Sequence, residues 1–567
     1  MVDFILALLS TAGLMVVLFG NINLKRRQAR MDVGSDEIDE QGKKDIYNVL
    51  WQKDISDWPE KLPQELNKEK LTAIGPKHFG QETFTMLQDV KTKMIPLVQR
   101  TPERYDKVSE IAQDGFSARK MYALGEAMGL DYFNGYAAMN SIKALEFPRD
   151  YGMHIDFQFG WIFIVANLKD QKGNDVDLLI TYFRRTIYPP DIAEKMGLSE
   201  IDNQVIEQVI GLGFSDKNIH IQGGNPAISG KTGLIELGSD PFLLKLGKNE
   251  VKSVKESSLF PLSIKIYDPE KDIAVDLTLE QTKPLFLEGD EGKAPSMYGL
   301  GTWYYSIPNL KTSGTIGYAG DVREVNGKGW FDNQWTAGVM PTGYPGNLYV
   351  RALSNILNKL KNEPPFSWGW DWMEVQFDND VEVTLSAIHS TKSEDLKNKG
   401  ENPPEVSKNT GTGKIINPDG KAENITATVT IDKWFKSASS SSWYPDRWKV
   451  EIPDRNISFV MTPTSPNQIF HTAGGSEFRE GGVKATGTMG DQEINGYGFG
   501  EGTAYAGEDY YLKTKFKILG FDDTKENRKL FMQQVPGVWL AIQSIILYLV
   551  SLLVVGWALS YLYRLIF

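Results

Sequence analysis

The chain has 567 residues, 41% hydrophobic and 24% charged, with a formal net charge of −12 and no cysteine. That length allows more than one hydrophobic core and the composition is that of a folded protein. The acidic balance argues against nucleic acid as a partner, and the missing thiols exclude disulfides, thiolate nucleophiles and cysteine-ligated metals.

Residues 1–24 contain the apolar run FILALLSTAGLMVVLFGNINL, long enough to cross a bilayer and followed by KRRQAR. It lacks the positive leader and small-residue cleavage site of a signal peptide, so it reads as an uncleaved anchor. Residues 25–81 are charged and broken by Trp-Pro and Leu-Pro pairs, the texture of a linker. Residues 82–146 repeat apolar side chains at three- and four-residue spacing, which predicts a helical subdomain.

From residue 147 the texture becomes β. WIFIVANLKDQKGNDVDLLITYFRR, LSIKIYDPEKDIAVDLTL, TWYYSIPNLKTSGTIGYAG, WMEVQFDNDVEVTLSAIHS and WKVEIPDRNISFVM each read as strand, turn, strand. Residues 338–366 and 391–423 read as loops. The units predict antiparallel sheets closed into barrels or sandwiches. At the end, 536–567 hold VWLAIQSIILYLVSLLVVGWALSY, without a charge and with Trp539, Trp557 and Tyr561 at interfacial positions: a transmembrane helix. Lys25, Arg26, Arg27 and Arg30 after the first span, and Lys525, Arg528 and Lys529 before the second, favour a cytoplasmic central region. An exported domain is the alternative. The bilayer is thus an expected partner, and the helical subdomain and the spans are surfaces for other membrane subunits.

Beyond residue 147 the blocks resemble a known family. FPRDYGMHIDFQFGWIFIVANLKDQKGNDVDLLITYFRR is similar to the opening strand pair of the hydroxyneurosporene synthase (carotenoid hydratase) family and its lipocalin-like relatives. YYSIPNLKTSGTI, GKGWFDNQW, GWDWMEVQFDNDVEVTL, GTGKIINPDGK, SSWYPDRWKVEIP and GYGFGEGTAY follow in the family's order, through residue 505. The resemblance implies two tandem lipocalin-like barrels, 147–320 and 321–520, with a ligand site near their junction. It also implies large unsaturated apolar ligands, since relatives include hydratases and polyene cyclases. Two positions depart: Gly160 stands where relatives have Glu, and Asn333 where carotenoid hydratases often carry His.

Hydrating a double bond needs an acid to protonate carbon and a wall that tolerates a carbocation. Asp332, between Trp330 and Trp335, and Asp371, between Trp370 and Trp372, are the candidate acids, with His154 as a third group. Trp161, Tyr182, Tyr304, Tyr305, Trp330, Trp335, Trp370, Trp372, Glu374 and Glu501 are the candidate ligand-binding residues. If 368–376 is a strand, alternation turns Asp371 away from its flanking tryptophans. The five histidines are far apart in sequence and show no ligand spacing, so no metal or cofactor is expected.

Two readings stand. In one, a membrane-anchored lipocalin-like protein binds a carotenoid, isoprenoid or lipid, and hydrates, isomerises or cyclises it. In the other, the barrels are a non-catalytic accessory or scaffold module of a larger membrane complex. A hydrolase is a distant third, as no G-x-S-x-G elbow is present.

Overall fold

The computed structural model describes residues 144–186, 198–224, 227–289, 291–295, 301–336, 368–390, 398–519 and 522–524, with Ala137 and Ile142. The anchors expected at 1–24 and 536–567, the expected linker, nearly all of 82–146 and the loop expected at 338–366 lie outside the described residues. Among the described residues, no helix is long and apolar enough to cross a membrane.

The first sheet contains β1 (Phe159–Asp170), β2 (Asp175–Thr186), β3 (Gln204–Phe214), β4 (Ile219–Gly223), β5 (Ile228–Ser229), β6 (Ile235–Ser239) and β7 (Phe242–Leu246). It continues with β8 (Asn249–Ser253), β9 (Leu262–Asp268), β10 (Ile273–Gln281), β11 (Phe286–Leu287), β12 (Lys293–Pro295), β13 (Gly301–Tyr318) and β14 (Asp321–Thr336). The order is β4-β3-β2-β1-β14-β13-β10-β9-β8-β7-β6, with β5 on β3 and β11 and β12 on β13. This is a half-barrel, not the closed barrel expected. The outer edge of β3 is shared by the five-residue β4 and the two-residue β5, so no long strand is offered to β6 for closure. β14 pairs with β1 on one side and β13 on the other, so this sheet runs to Thr336 and does not stop at residue 320.

The second sheet contains β15 (Trp368–Phe377), β16 (Glu382–Ser390), β17 (Ser407–Ile416), β18 (Ala422–Lys436), β19 (Trp443–Ile452), β20 (Ile457–Pro463), β21 (Ile469–His471), β22 (Glu477–Met489) and β23 (Gln492–Thr503). Pairing of β20 with β22 closes eight of these strands into a ring, with β21 appended to β22. Chain neighbours are ring neighbours, the up-and-down arrangement of a lipocalin-like barrel. A helix, α1 (Gly507–Leu519), follows.

Two stretches depart from the sequence reading. TWYYSIPNLKTSGTIGYAG supplies one long strand, β13, rather than a hairpin. Its Pro308 and Asn309 make a bulge: the register shifts between Ile307 and Leu310, and Asn309 has φ +52°. Within the polar stretch 391–423, residues Ser407–Ile416 form β17. A Cβ on Gly413 would lie 1.9 Å from the Thr384 carbonyl, so this glycine permits close strand approach instead of marking a loop.

Burial patterns explain how the two sheets meet. β9 and β10 alternate buried and exposed residues, as expected with one face in water. β2 and β3 are buried almost throughout, because both of their faces are covered. One face packs in the half-barrel core with Ile162, Ile180, Ile210 and Phe331. The other joins Phe163, Val165, Leu179 and Trp330 to Trp372, Phe478 and Phe499 of the closed barrel. Buried polar contacts fix this junction. The Lys283 ammonium meets Glu382 at 2.7 Å, and Asn309 Nδ2 donates to the other Glu382 oxygen at 2.8 Å. Asn167 Nδ2 donates to the Gly498 carbonyl at 3.1 Å, and the Thr464 hydroxyl donates to Asp177.

Candidate functional site at the sheet junction

Strand alternation decides which side chains reach the junction. β14 sends Trp330 and Asp332 there, and Phe331 and Trp335 into the half-barrel core. β13 sends Tyr304 and Ser306 to the junction, with Tyr305 on the core side. β15 forms as the sequence suggests. Trp370, Trp372 and Glu374 face the junction, whereas Asp371 and Met373 face the closed barrel. On β22 and β23, Glu480 stands directly across from Glu501, and Glu501 directly across from Trp372.

At the centre is Asp332, only 3% exposed. It accepts from the Tyr304 hydroxyl at 2.6 Å and from Trp330 Nε1 at 2.7 Å. Trp372 Nε1, from the other sheet, donates to the Tyr304 hydroxyl oxygen at 3.2 Å, so a relay crosses the junction to Asp332. Trp370 Nε1 donates to Glu501 at 2.8 Å. Ser306 donates to Glu288 at 3.4 Å.

Five buried carboxyl groups therefore gather at the junction among its aromatic side chains: Asp332, Glu288, Glu374, Glu480 and Glu501. Burial pushes Asp332 up to about 6, while its three hydrogen-bonding neighbours, Ser306, Tyr304 and Trp330, hold it below the rest. Burial, then the Asp332 charge, pushes Glu288 up to about 8. Glu501 also rises to about 8, chiefly by burial. Glu374 and Glu480 rise well above the carboxylate range, by burial first and then by the neighbouring carboxylates. Neither oxygen of Glu480 has a hydrogen-bond partner among the described residues. The set divides into one aspartate held lower by its three donors and four glutamates pushed higher by burial and by neighbouring carboxylates. Such a split separates a base from acids.

The remaining sequence candidates lie elsewhere. His154 stacks flat on Trp335, with ring centroids 3.7 Å apart, and its Nε2 lies 3.4 Å from Asp150. Burial lowers it to about 4, so it is a neutral core residue at physiological pH. Tyr182 bonds Gln208 at 2.5 Å inside the half-barrel, where Tyr305 and Trp335 also lie. Asn333 donates to the Tyr151 and Gly152 carbonyls, which fastens that segment to β14. Gly160 faces Trp335, and a Cβ there would lie 3.1 Å from the Trp335 Cβ. Asp371 accepts from Tyr505 at 2.9 Å and Trp448 Nε1 at 3.1 Å inside the closed barrel. Trp161 borders the junction.

Glu288 and Glu480 are absent from the sequence candidates. Glu480 sits in EFREGGV, where a charged pair interrupts an otherwise strand-like run; a strand buried on both faces loses the alternation that would have flagged it. Glu288 follows a two-residue strand and carries no local signal. Among the described residues, no group of three or more His, Asp or Glu side chains has a metal-binding arrangement.

Residues 138–350 match the AttH-like family. The closed barrel begins after that match, at Trp368. Among solved structures, a Nitrosomonas europaea protein described as an AttH is 21% identical, with 65% of this chain and 99% of that one covered and a TM-score of 0.49. Kievitone hydratase from Nectria haematococca is 15% identical, over 65% of this chain and 95% of its own, with a TM-score of 0.44. CghA is 11% identical, over 61% and 88%, with a TM-score of 0.34. No curated protein matches the sequence.

Proposed function

We propose that this lipocalin-like protein holds an unsaturated, largely apolar molecule at the sheet junction and moves protons on and off its double bonds. The observation that carries this is the convergence of buried carboxyls at the junction, where Asp332 accepts from Tyr304 and Trp330, and Glu501 accepts from Trp370 and stands across from Trp372. In hydration, the Glu501 acid gives its proton to one alkene carbon, and positive charge develops on the other against the tryptophan faces. Water adds there as Asp332 takes its proton, and return of that proton to Glu501 restores the site. Without water addition, Asp332 removes a proton from the adjacent carbon, and the outcome is double-bond isomerisation.

The enzyme is thus a hydratase or isomerase, anchored by residues 1–24 and 536–567 so that ligand enters from the bilayer, with its large domain in the cytoplasm. To test this, purified full-length protein is incubated in deuterium oxide with lipid extract from the native membrane, and products are read by mass spectrometry. Deuterium gained at a double bond, and lost in Asp332→Asn, supports the reading. No exchange in any extracted lipid would sink it.

A scaffold role is the second reading, favoured by interiors filled with their own side chains, such as Trp448, Phe459 and Met461 in the closed barrel. A fixed set of co-purifying membrane subunits, with no bound small molecule, would support it.

A further inference from the structure

The junction holds more buried acid than proton transfer requires. Two carboxyl groups suffice for the cycle above, yet five converge there, and Glu480 is fully buried with both oxygens unpartnered among the described residues. A purely hydrocarbon ligand would leave those oxygens desolvated and unsatisfied. An anionic ligand would be repelled by Asp332. The nearby cations do not occupy the set. Lys414 acts on Glu288 from a distance and donates to the Gly289 carbonyl. Arg479 is turned the other way, over the Trp448 ring, with its donors on the Gly500 carbonyl and Gln468.

Such a site suits a compact cation. A protonated amine has three N–H donors and a positive charge. Glu480 and Glu501, side by side across β22 and β23, offer it adjoining oxygens. Trp330, Trp370 and Trp372 offer ring faces that attract positive charge. We propose that the junction ligand carries a protonated amine on an apolar body, with the ammonium seated at the Glu480–Glu501 pair and the hydrocarbon along the tryptophans. This rests on the reading of the junction as the ligand site, and it narrows the substrate class from apolar molecules in general to apolar amines. Burial pushes Glu501 up to about 8, so it holds its proton at neutral pH when the seat is empty, and seating the ammonium expels that proton.

The test compares three near-isosteric probes, benzylamine, benzyl alcohol and ethylbenzene, on the full-length protein. Titration calorimetry at neutral pH gives affinity. Repeating it in phosphate and in Tris gives the protons released, and tryptophan fluorescence reports occupancy of the junction. Benzylamine is expected to bind about tenfold more tightly than the alcohol and to release close to one proton. Its affinity should rise with pH through neutrality as Glu288 and Glu501, both pushed up to about 8 by burial, lose their protons. In Glu480→Gln the preference and the proton release should both fall. Equal binding of all three probes would overturn the amine assignment while leaving the junction a ligand site. No binding and no fluorescence change would overturn both. The proton count on the unaltered protein stands whether or not the variant folds.

Discussion

Asp332 and Asp371 invite direct comparison. Each lies in a Trp-rich strand, each is buried, and each accepts one indole N–H and one tyrosine hydroxyl. What differs is the company. Asp332 faces other carboxyls across the junction, and its charge raises every one of them. Asp371 lies inside the closed barrel, where burial raises it but His389 and Arg479 pull the other way. The same indole-and-tyrosine pair therefore carries different consequences at the two sites. In the barrel the aspartate ties Tyr505 and Trp448 together; at the junction its charge adds to burial in raising the proton affinity of four neighbours.

The largest expected effect breaks this comparison at its centre. Asp332→Asn removes the proposed base and should cut deuterium exchange by about two to four orders of magnitude. Asp371→Asn should instead shift the unfolding midpoint and reduce exchange far less. Equal losses of exchange in the two variants would show that the barrel aspartate also takes part in chemistry.

Next is the contact that holds the two regions together. Lys283→Met leaves Glu382 buried without its cation and should destabilise by about 3–5 kcal/mol. Urea unfolding followed by tryptophan fluorescence measures this. Pairing it with Glu382→Leu should recover most of the loss, since two apolar groups leave no charge behind.

A pH series sharpens the contrast between core and junction. His154 is held neutral, with its value lowered from 6.5 to about 4, so the unfolded chain takes up a proton first as pH falls. Stability from this residue is lost on acidification across that window, by on the order of 3 kcal/mol. Glu288 runs the other way. Its value is raised from 4.5 to about 8, so the folded state holds the proton longer and stability is lost as pH rises across that window. The melting temperature should therefore peak on the acid side of neutrality. Glu480→Gln, which cannot ionise, should flatten the alkaline limb and leave the acid limb in place.

Much of this contrast was legible in the sequence, and its limits are physical. The alternation WGWDWME placed Asp371 opposite its tryptophans before any coordinates, because a strand has a period of two. The hairpins around KDQKGND and YDPEKD follow from turn chemistry and were equally plain. Closure was not legible: whether the edge of β3 meets β6 depends on lengths and curvature accumulated over many strands. Asp332 stood out beside Trp330, but its four glutamate neighbours come from the residue after β11 and from β15, β22 and β23, and only tertiary contact unites them. The same limit hid Glu480, whose meaning depends on Glu501 opposite.

The smallest effect separates structure from chemistry within the hydrogen-bond sets themselves. Tyr505→Phe removes a hydroxyl donor from one Asp371 oxygen, and Tyr304→Phe removes one from an Asp332 oxygen. Each loses a buried hydrogen bond and should cost about 1–3 kcal/mol in urea unfolding, so stability alone does not tell the two sites apart. The pH profile of exchange does. Tyr304 stabilises the ionised form of Asp332, so its loss should move the acid limb of the profile to higher pH, because the base must shed its proton later. Loss of Tyr505 should leave that limb where it is. A shift in both variants would mean that the two aspartates titrate as one system through the intervening strand, and a shift in neither would remove Asp332 from the role of base.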